Sequence, residues 1–396
     1  MASRDSAHHP MNILMASCVP RRREGGVAVI IYNLGRELEA LGHRVTYVFQ
    51  EDLVEREKML PRFVELVFSL RLAKYIAKRR SEFSIVNLHA PVGFPYGWRR
   101  RWGPRAGWPP YVMTLHGLEE RRTHVMSREQ RLGRAWNYSW KNRLWHRFYH
   151  HPRFRWSIRA ANGAHTISRD AFAFLQLVYN MDSDRVAYVP SGVEARFFIP
   201  REYRQGQDLR LLYAGTWLDQ RGIFYIRDAL RNLAPRLPGL TMTFAGGAVP
   251  AGEIETFFGA DLRSRISVRP VVSADDMPML YAEHDVLLFP SLMEGLPSVL
   301  LEAMASGMPV VTTETCGMPD IVEDEFNGLL IPPANAAAIE NAIVRLANSA
   351  ELRRTLGTAA RESMRRYTWA RSARRLEVLF RHIIERESSS QNQGAG

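Results

Sequence analysis

Residues Glu294–Val311 read EGLPSVLLEAMASGMPVV. Two carboxylates stand eight residues apart, Glu294 beside Gly295 and Glu302 inside an apolar run. The preceding DVLLFPS (Asp285–Ser291) reads as a buried strand, LMEG as the turn after it, and the next stretch as a helix over about 297–306. Pro297 suits the first helical position and Gly307 the place just past the end. Glu294 then lies ahead of the helix and Glu302 about a turn and a half inside it. The N–H groups of Leu296, Ser298 and Val299 would be free donors, so the segment offers a backbone anion site with an acid on either side. Carboxylates accept hydrogen bonds from hydroxyls, so a nucleotide-sugar would fit: sugar on Glu294, ribose on Glu302, diphosphate between. A glycosidase pair is the rival. Its carboxyl groups would lie about 5–9.5 Å apart, whereas eight helical residues rise about 12 Å. Two merely capping or paired glutamates are the structural alternative.

Working outward, apolar β-branched runs alternate with helical patterns. The first half holds MNILMAS, RVTYVF, SIVNLH, YVMTLHG, GAHTIS and RVAYVPSG. The second holds LRLLYAG, LTMTFAGG, ISVRPVV, DVLLFPS, PVVTTET and GLLIPP. Continuous apolar strands alternating with helices imply an α/β chain with parallel sheets covered on both faces. Twelve strands suit two doubly wound domains, over 11–200 and 209–365, with the polar REYRQGQD (201–208) as linker. Residues 1–10 read as a flexible leader and 387–396 as a disordered tail. Ligands of such sheets bind beyond the carboxyl ends of the strands, so two facing sheets predict a cleft.

The composition is that of a soluble globular protein, with 46% hydrophobic and 24% charged residues. Cys18 and Cys316 form no disulfide framework or zinc spacing, which points to a reducing compartment. No apolar run approaches about 20 residues, so no spanning helix is expected. MNILMASCV is followed, not preceded, by Arg21-Arg22-Arg23, and reads as a strand, not a signal peptide. The net charge of +12 is uneven: residues 1–200 hold 32 Lys and Arg against 17 Asp and Glu, the remainder 21 against 24. The basic half suggests an anionic partner met on one side.

Two further loops follow strands. Gly25-Gly26 precedes a helical segment, and reads either as a phosphate-approach site or as a tight turn. AGTWLDQRG (Ala214–Gly222) places Gly215, Thr216 and Arg221 after a strand. Arg221 could neutralise a diphosphate or be a solvated loop arginine. Asp182-Ser183-Asp184 looks like a metal-binding D-x-D, but its place between a helix and a strand reads as a loop cap. His146, His150 and His151 lie in a basic-aromatic run and are not read as metal ligands.

That run is distinctive: residues 98–156 carry seven of the nine tryptophans, interleaved with Arg99-Arg100-Arg101 and other cations. Trp136, Trp140, Leu144 and Phe148 recur every four residues, the spacing of one helical stripe. The combination suits an anionic membrane interface; a packed stripe with a solvated basic face, or nucleic-acid binding, are the other readings.

The segment from Pro290 to Pro333 resembles the E-x7-E signature region of glycosyltransferase family 4. EGG after the first strand, TLHG, HTIS, VPSGVE, AGTWLDQRG and the closing YTWARSARRLEVLF extend the resemblance in the family's order. It implies a GT-B fold, two Rossmann-like domains with the donor in the second, and a final helix (366–386) returning to the first. It also implies retaining, metal-independent transfer from a nucleotide-sugar, UDP- or GDP-linked, with no cofactor. By the same resemblance Glu294 meets sugar hydroxyls, Glu302 the ribose, and Gly295, Leu296, Pro297 and Ser298 the sugar and phosphate. His116 stands near the transferred sugar. Arg221 stands where the family usually has Lys, and Thr216 where many members have a second diphosphate-binding Arg.

The expected function is therefore a retaining glycosyltransferase acting on a glycan or lipid-linked acceptor in envelope or polysaccharide synthesis. His116 and Glu294 are the expected catalytic residues. Arg99, Arg100, Arg101, Trp136 and Trp140 are the expected membrane or acceptor contacts, at the cytoplasmic face of the plasma membrane. A nucleotide-sugar epimerase would turn over donor without acceptor; a nucleic-acid-binding protein would bind no sugar nucleotide.

Overall fold

The computed structural model describes residues 9–21, 26–55, 60–102, 107–136 and 138–393. Each expected strand forms. β1 (Asn12–Ala16), β2 (Arg44–Val48), β3 (Ile85–His89), β4 (Tyr111–Leu115), β5 (Gly163–Thr166) and β6 (Val186–Tyr188) make one sheet, in the order β2-β1-β3-β4-β5-β6. β7 (Arg210–Ala214), β8 (Thr241–Ala245), β9 (Ile266–Arg269), β10 (Val286–Phe289), β11 (Val310–Thr313) and β12 (Leu329–Ile331) make the other, ordered β12-β11-β10-β7-β8-β9. All pairings are parallel. β3, β4, β10 and β11 are buried at every position because helices cover both faces, which is why their sequences run apolar without alternation.

The first domain carries α1 (Gly26–Ala40), α2 (Gln50–Leu53), α3 (Pro61–Lys78), α4 (Phe94–Trp102), α5 (Glu119–Arg131), α6 (Trp140–Trp145), α7 (His151–Ala160) and α8 (Arg169–Tyr179). The second carries α9 (Ile223–Leu233), α10 (Ala251–Phe258), α11 (Met277–Glu283), α12 (Ser298–Ala305), α13 (Ala336–Asn348) and α14 (Ala350–Met364). The linker is pinned to the second domain: Arg201 Nη1 donates to the Tyr281 carbonyl at 2.9 Å and Tyr203 Oη to that of Gly307 at 2.9 Å.

The last helix, α15 (Trp369–Gln393), crosses back. Its stripe of Trp369, Ala373, Leu376, Phe380 and Ile383 joins Ile13, Met15, Ile31 and Leu34 in one cluster. It continues to Gln393, into the stretch expected as a disordered tail. Glu387 anchors that end by pairing with Arg100 and accepting from Asn162. Asp182 and Asp184, the D-x-D-like pair, serve the same helix: Arg386 reaches them at 3.1 and 2.7 Å, and His382 reaches Asp184 at 3.1 Å. Residues 1–8 of the expected leader lie outside the described residues.

Strand order reverses between β1 and β3 in the first sheet and between β7 and β10 in the second. These are the topological switch points at which doubly wound sheets hold ligands. They face each other. Tyr225 Oη of α9 donates to Glu129 Oε2 of α5 at 2.8 Å, and Arg134 pairs with Asp228 at 3.0 Å. The Arg169 N–H at the start of α8 donates to Asp320 Oδ2 of the other domain at 2.7 Å. The molecule is thus in a closed arrangement.

Candidate active site

The loops after β7 and β10 bring Arg221 and Glu294 together as an ion pair. Arg221 ends a 3-10 turn (Asp219–Arg221) and lies over the Phe289 ring, 5.1 Å from its centroid. The chain can turn into α9 directly behind it because Gly222 takes a φ of 76° and passes tightly under the Pro290 carbonyl. The two side chains keep 17% and 20% exposure, enough for a ligand to reach them. Burial pushes the Glu294 carboxyl above its ordinary range; Arg221, the Gly295 N–H and, more weakly, the Arg122 charge oppose that.

The helix after Glu294 starts at Ser298, with Pro297 as its extended cap, one residue later than the sequence reading. Its first internal bond is Leu300 N–H to the Pro297 carbonyl at 3.1 Å, which leaves the Ser298 and Val299 N–H groups ahead of it as donors. Glu302 sits inside the helix and accepts from Tyr281 Oη at 2.7 Å. Burial raises its pKa to about 7, against the lowering effect of that hydrogen bond. One Glu302 oxygen is engaged; the other is available to a hydroxyl. Gly215 and the exposed Thr216 line the same side, Tyr213 Oη holding the Thr216 carbonyl at 2.8 Å. Gly26 opens α1, with clear space beside it. Gly25 lies outside the described residues.

The first domain supplies His116, just past β4. Its Nε2 lies 2.6 Å from His89 Nδ1 at the end of β3. Strand register explains a larger group. His89, Thr114 and His165 lie side by side on β3, β4 and β5, and Thr114 Oγ1 is 2.6 Å from His165 Nε2. Burial lowers all three histidines: His116 to about 4, His165 to about 3, and His89 well below its ordinary value. They are therefore neutral at pH 7. A buried neutral histidine stabilises the fold above its unfolded pKa of about 6.5, and that stability is lost as pH falls toward the folded value. Glu302, raised, works the other way: its contribution falls as pH rises from its unfolded value, near 4.5, to about 7. His284, also lowered by burial, acts with these histidines, while Glu294 and Asp320, both raised by burial, act with Glu302. The four histidines lose stability across the window in which they protonate in the unfolded chain, so melting temperature should drop on acidification from pH 6.5 to 5; a flat profile in calorimetry would contradict the assignment of these histidines as neutral.

The backbone of His116 and Gly117 meets that of Gly295, next to Glu294, across the domain boundary. Gly117 lies so close to Gly295 that an added Cβ would stand 3.7 Å from the Gly295 nitrogen. A Cβ on Gly295 would run into the His116 carbonyl, and one on Gly317 into the Gly295 carbonyl. Sequence reasoning missed Gly117, Gly317, His89 and His165. The histidine repeated at or near the ends of three successive strands (NLH, TLH, GAH) was the available signal. It also missed Arg122, a cation from the first domain whose charge bears on Glu294.

The expected membrane residues separate. Trp136 lies before α6, off the helical stripe, and packs on the second domain: 6.2 Å from Trp217, 5.1 Å from Phe224 and 5.5 Å from Phe257 between ring centroids. It is a domain contact. Arg100 is turned inward to Glu387 and the Pro109 carbonyl. Arg99, Arg101, Trp140, Leu144 and Phe148 do face outward. No group of three or more His, Cys, Asp and Glu arranged to hold a metal occurs among the described residues, and no described helix is long and apolar enough to cross a membrane.

Two facing Rossmann-like domains with an acid-and-arginine pair at the switch point of the second define the class, a GT-B glycosyltransferase. The comparisons agree. Residues 24–197 match the sequence model described as Glycosyltransferase Family 4, and residues 196–363 the one described as Glycosyl transferases group 1. The two run on from each other, and the chain belongs to the family 4 glycosyltransferases, which act on nucleotide-sugars. A similar relative is an uncharacterized glycosyltransferase of Methanocaldococcus jannaschii, 23% identical, covering 91% of this chain and 95% of its own. Among solved structures, sucrose-phosphate synthase from Thermosynechococcus elongatus has a TM-score of 0.75 at 21% identity, covering 95% of this chain and 99% of its own. Anabaena HepE, solved with UDP-glucose, has a TM-score of 0.63 at 16% identity, covering 96% of this chain and 100% of its own.

Proposed function

We propose that this enzyme transfers a sugar from a UDP- or GDP-sugar, with retention and without a metal, to a hydroxyl of a lipid-linked or surface-glycan acceptor. The observation that carries this reading is the Arg221–Glu294 pair at the start of α12, next to the Gly117–Gly295 contact between the domains. A diphosphate at the Ser298 and Val299 N–H groups would be neutralised by Arg221, with Arg122 as the further cation where Thr216 replaces the family's second arginine. Glu294 would accept from sugar hydroxyls and Glu302 from the ribose. Positive charge fixed in place before reaction stabilises the departing diphosphate, the largest contribution expected of such a site. The acceptor hydroxyl attacks from the face that the diphosphate leaves and hands its proton to a phosphate oxygen. The bond to the leaving oxygen breaks as the new C–O bond forms, so no enzyme nucleophile is needed. Neutral His116, held by His89, lines the sugar. The UDP-glucose bound to Anabaena HepE supports a uridine donor first.

A panel of nucleotide-sugars in thermal-shift measurements tests the reading. One donor should raise the melting temperature, and its turnover should survive EDTA. Glu302→Gln, which trades an ionisable acceptor for an amide, should weaken that donor by about tenfold, consistent with loss of about 1.5 kcal/mol from a charged hydrogen bond. No shift with any nucleotide-sugar, or EDTA loss reversed by Mg²⁺, counts against it.

The acceptor side favours a membrane surface. Trp98, Trp102, Trp140, Leu144 and Phe148 are exposed on α4, α6 and the turn after it, Phe148 to 71%. Arg99, Arg101, Lys141, Arg143 and Arg147 stand exposed among them. Each such cation contributes about 1 kcal/mol near an anionic leaflet, screened by salt. In vesicle flotation with anionic lipid at low salt, wild type should float, Trp140→Ala/Phe148→Ala should stay largely in solution, and Trp136→Ala should float as wild type. Wild type remaining in solution rules this surface out.

A further inference from the structure

A second cavity, of about 250 Å³, lies where the two domains meet the final helix, away from Arg221 and Glu294. Three separate parts of the chain build it. Arg169 and Tyr188 stand at the carboxyl ends of β5 and β6, Asp320 follows β11, and Arg366, Arg371 and Arg375 come from the entry and first turns of α15. Four guanidinium groups thus face one carboxylate. Asp320 is already engaged, its Oδ2 accepting from the Arg169 backbone N–H at 2.7 Å. None of the four arginines forms an ion pair among the described residues. The Tyr188 hydroxyl is buried beside the Asp320 carboxylate and under the Arg169 guanidinium, which lies 5.4 Å from its ring centroid.

Four guanidinium groups against one carboxylate leave an excess of positive charge, which a bound anion would balance. Guanidinium forks match phosphate oxygens two at a time. The cavity is smaller than the roughly 300–1,000 Å³ of sites for drug-sized ligands, so a whole nucleotide-sugar is a poor fit and a single phosphate-type group a good one. We propose that this cavity binds a small soluble phosphate-type oxyanion, and that its occupancy favours the closed arrangement of the two domains. The second part follows from the walls: they belong to the first domain, the second domain and the helix joining them, so an anion touching all three binds best when they are together. The inference does not depend on which sugar the enzyme transfers.

The test is isothermal titration of inorganic phosphate into the full chain, against chloride at equal ionic strength. Wild type should bind saturably. Arg371→Gln/Arg375→Gln should weaken binding at least about tenfold, the loss expected for charged hydrogen bonds to phosphate. Arg374→Gln removes one charge from the exposed side of the same helix, outside the cavity, and should bind as wild type. Arg221→Met should also bind as wild type, which separates this site from the donor site. Circular dichroism confirms that each variant is folded, and Arg371→Gln alone replaces the double variant if that one is not. Hydrogen exchange should show the amides around Arg169 better protected with phosphate than with chloride. Absence of saturable binding, equal weakening by Arg374→Gln, loss of binding in Arg221→Met, unchanged exchange, or binding to anionic vesicles in place of phosphate would each overturn the proposal.

Discussion

Arg221→Met is expected to lower kcat by about 10²–10³, the loss seen when one fixed donor to developing negative charge is removed. The side chain stands beside Glu294 at the start of α12, where the proposed function puts the leaving diphosphate. Methionine keeps much of its length and its packing on Phe289 while deleting the charge. The same change leaves the half-buried Glu294 without its ion-pair partner, and an unpaired carboxylate there destabilises the fold. The penalty is below the 3–5 kcal/mol of a fully buried pair, because both side chains keep some exposure. Two measurements separate the roles. In Arg221→Met/Glu294→Gln the unpaired charge is gone, so the melting temperature should return toward wild type while turnover stays low. Recovery of turnover in the double variant would mean that the pair is structural and does not meet the diphosphate.

Gly295→Ala is expected to reduce turnover by about 10²-fold or more while leaving each domain folded. A Cβ at this position overlaps the His116 carbonyl, which belongs to the other domain. The domains must separate by a fraction of an ångström or more, and a 1 Å misplacement in a catalytic arrangement can cost about 10² in rate. A Cβ on Gly317 overlaps the Gly295 carbonyl within the second domain, so Gly317→Ala would shift the Gly295 loop itself. Gly222→Ala is a useful contrast, because there the φ of 76° strains the backbone itself and stability should fall as well. Steady-state kinetics at saturating donor, with small-angle scattering to follow closure, decides the matter. Wild-type turnover in Gly295→Ala would show that the closed contact is not the reacting arrangement.

Much of this was legible in the chain. The central strands β3, β4, β10 and β11 are buried at every position, and apolar runs of that kind form parallel sheets because both faces are covered. The positions of Glu294, Glu302 and Arg221 after strands and at a helix start were legible because each is set by its place relative to a strand end or a helix start, which is local information. The aromatic run shows the limit. Its four-residue spacing from Trp136 to Phe148 is a helical pattern, but the helix begins only at Trp140. Trp136 is instead drawn into the Trp217, Phe224 and Phe257 cluster of the other domain. Arg100 likewise reads as one of three surface cations until Glu387, far along the chain, turns it inward.

The sequence by itself determined the two-domain α/β architecture, the places of its strands along the chain and the acid-and-arginine loops of the second domain, because periodicity and turn chemistry act over a few residues. Only the tertiary structure decided which groups meet. Strand register lines up His89, Thr114 and His165, and domain closure sets the His116 carbonyl against Gly295 and Asp320 against the start of α8. It also gathers Arg169 and Arg375 around one cavity. These pairs are separated by tens to hundreds of residues, and contact between them depends on how sheets stack and domains close, which no local pattern encodes.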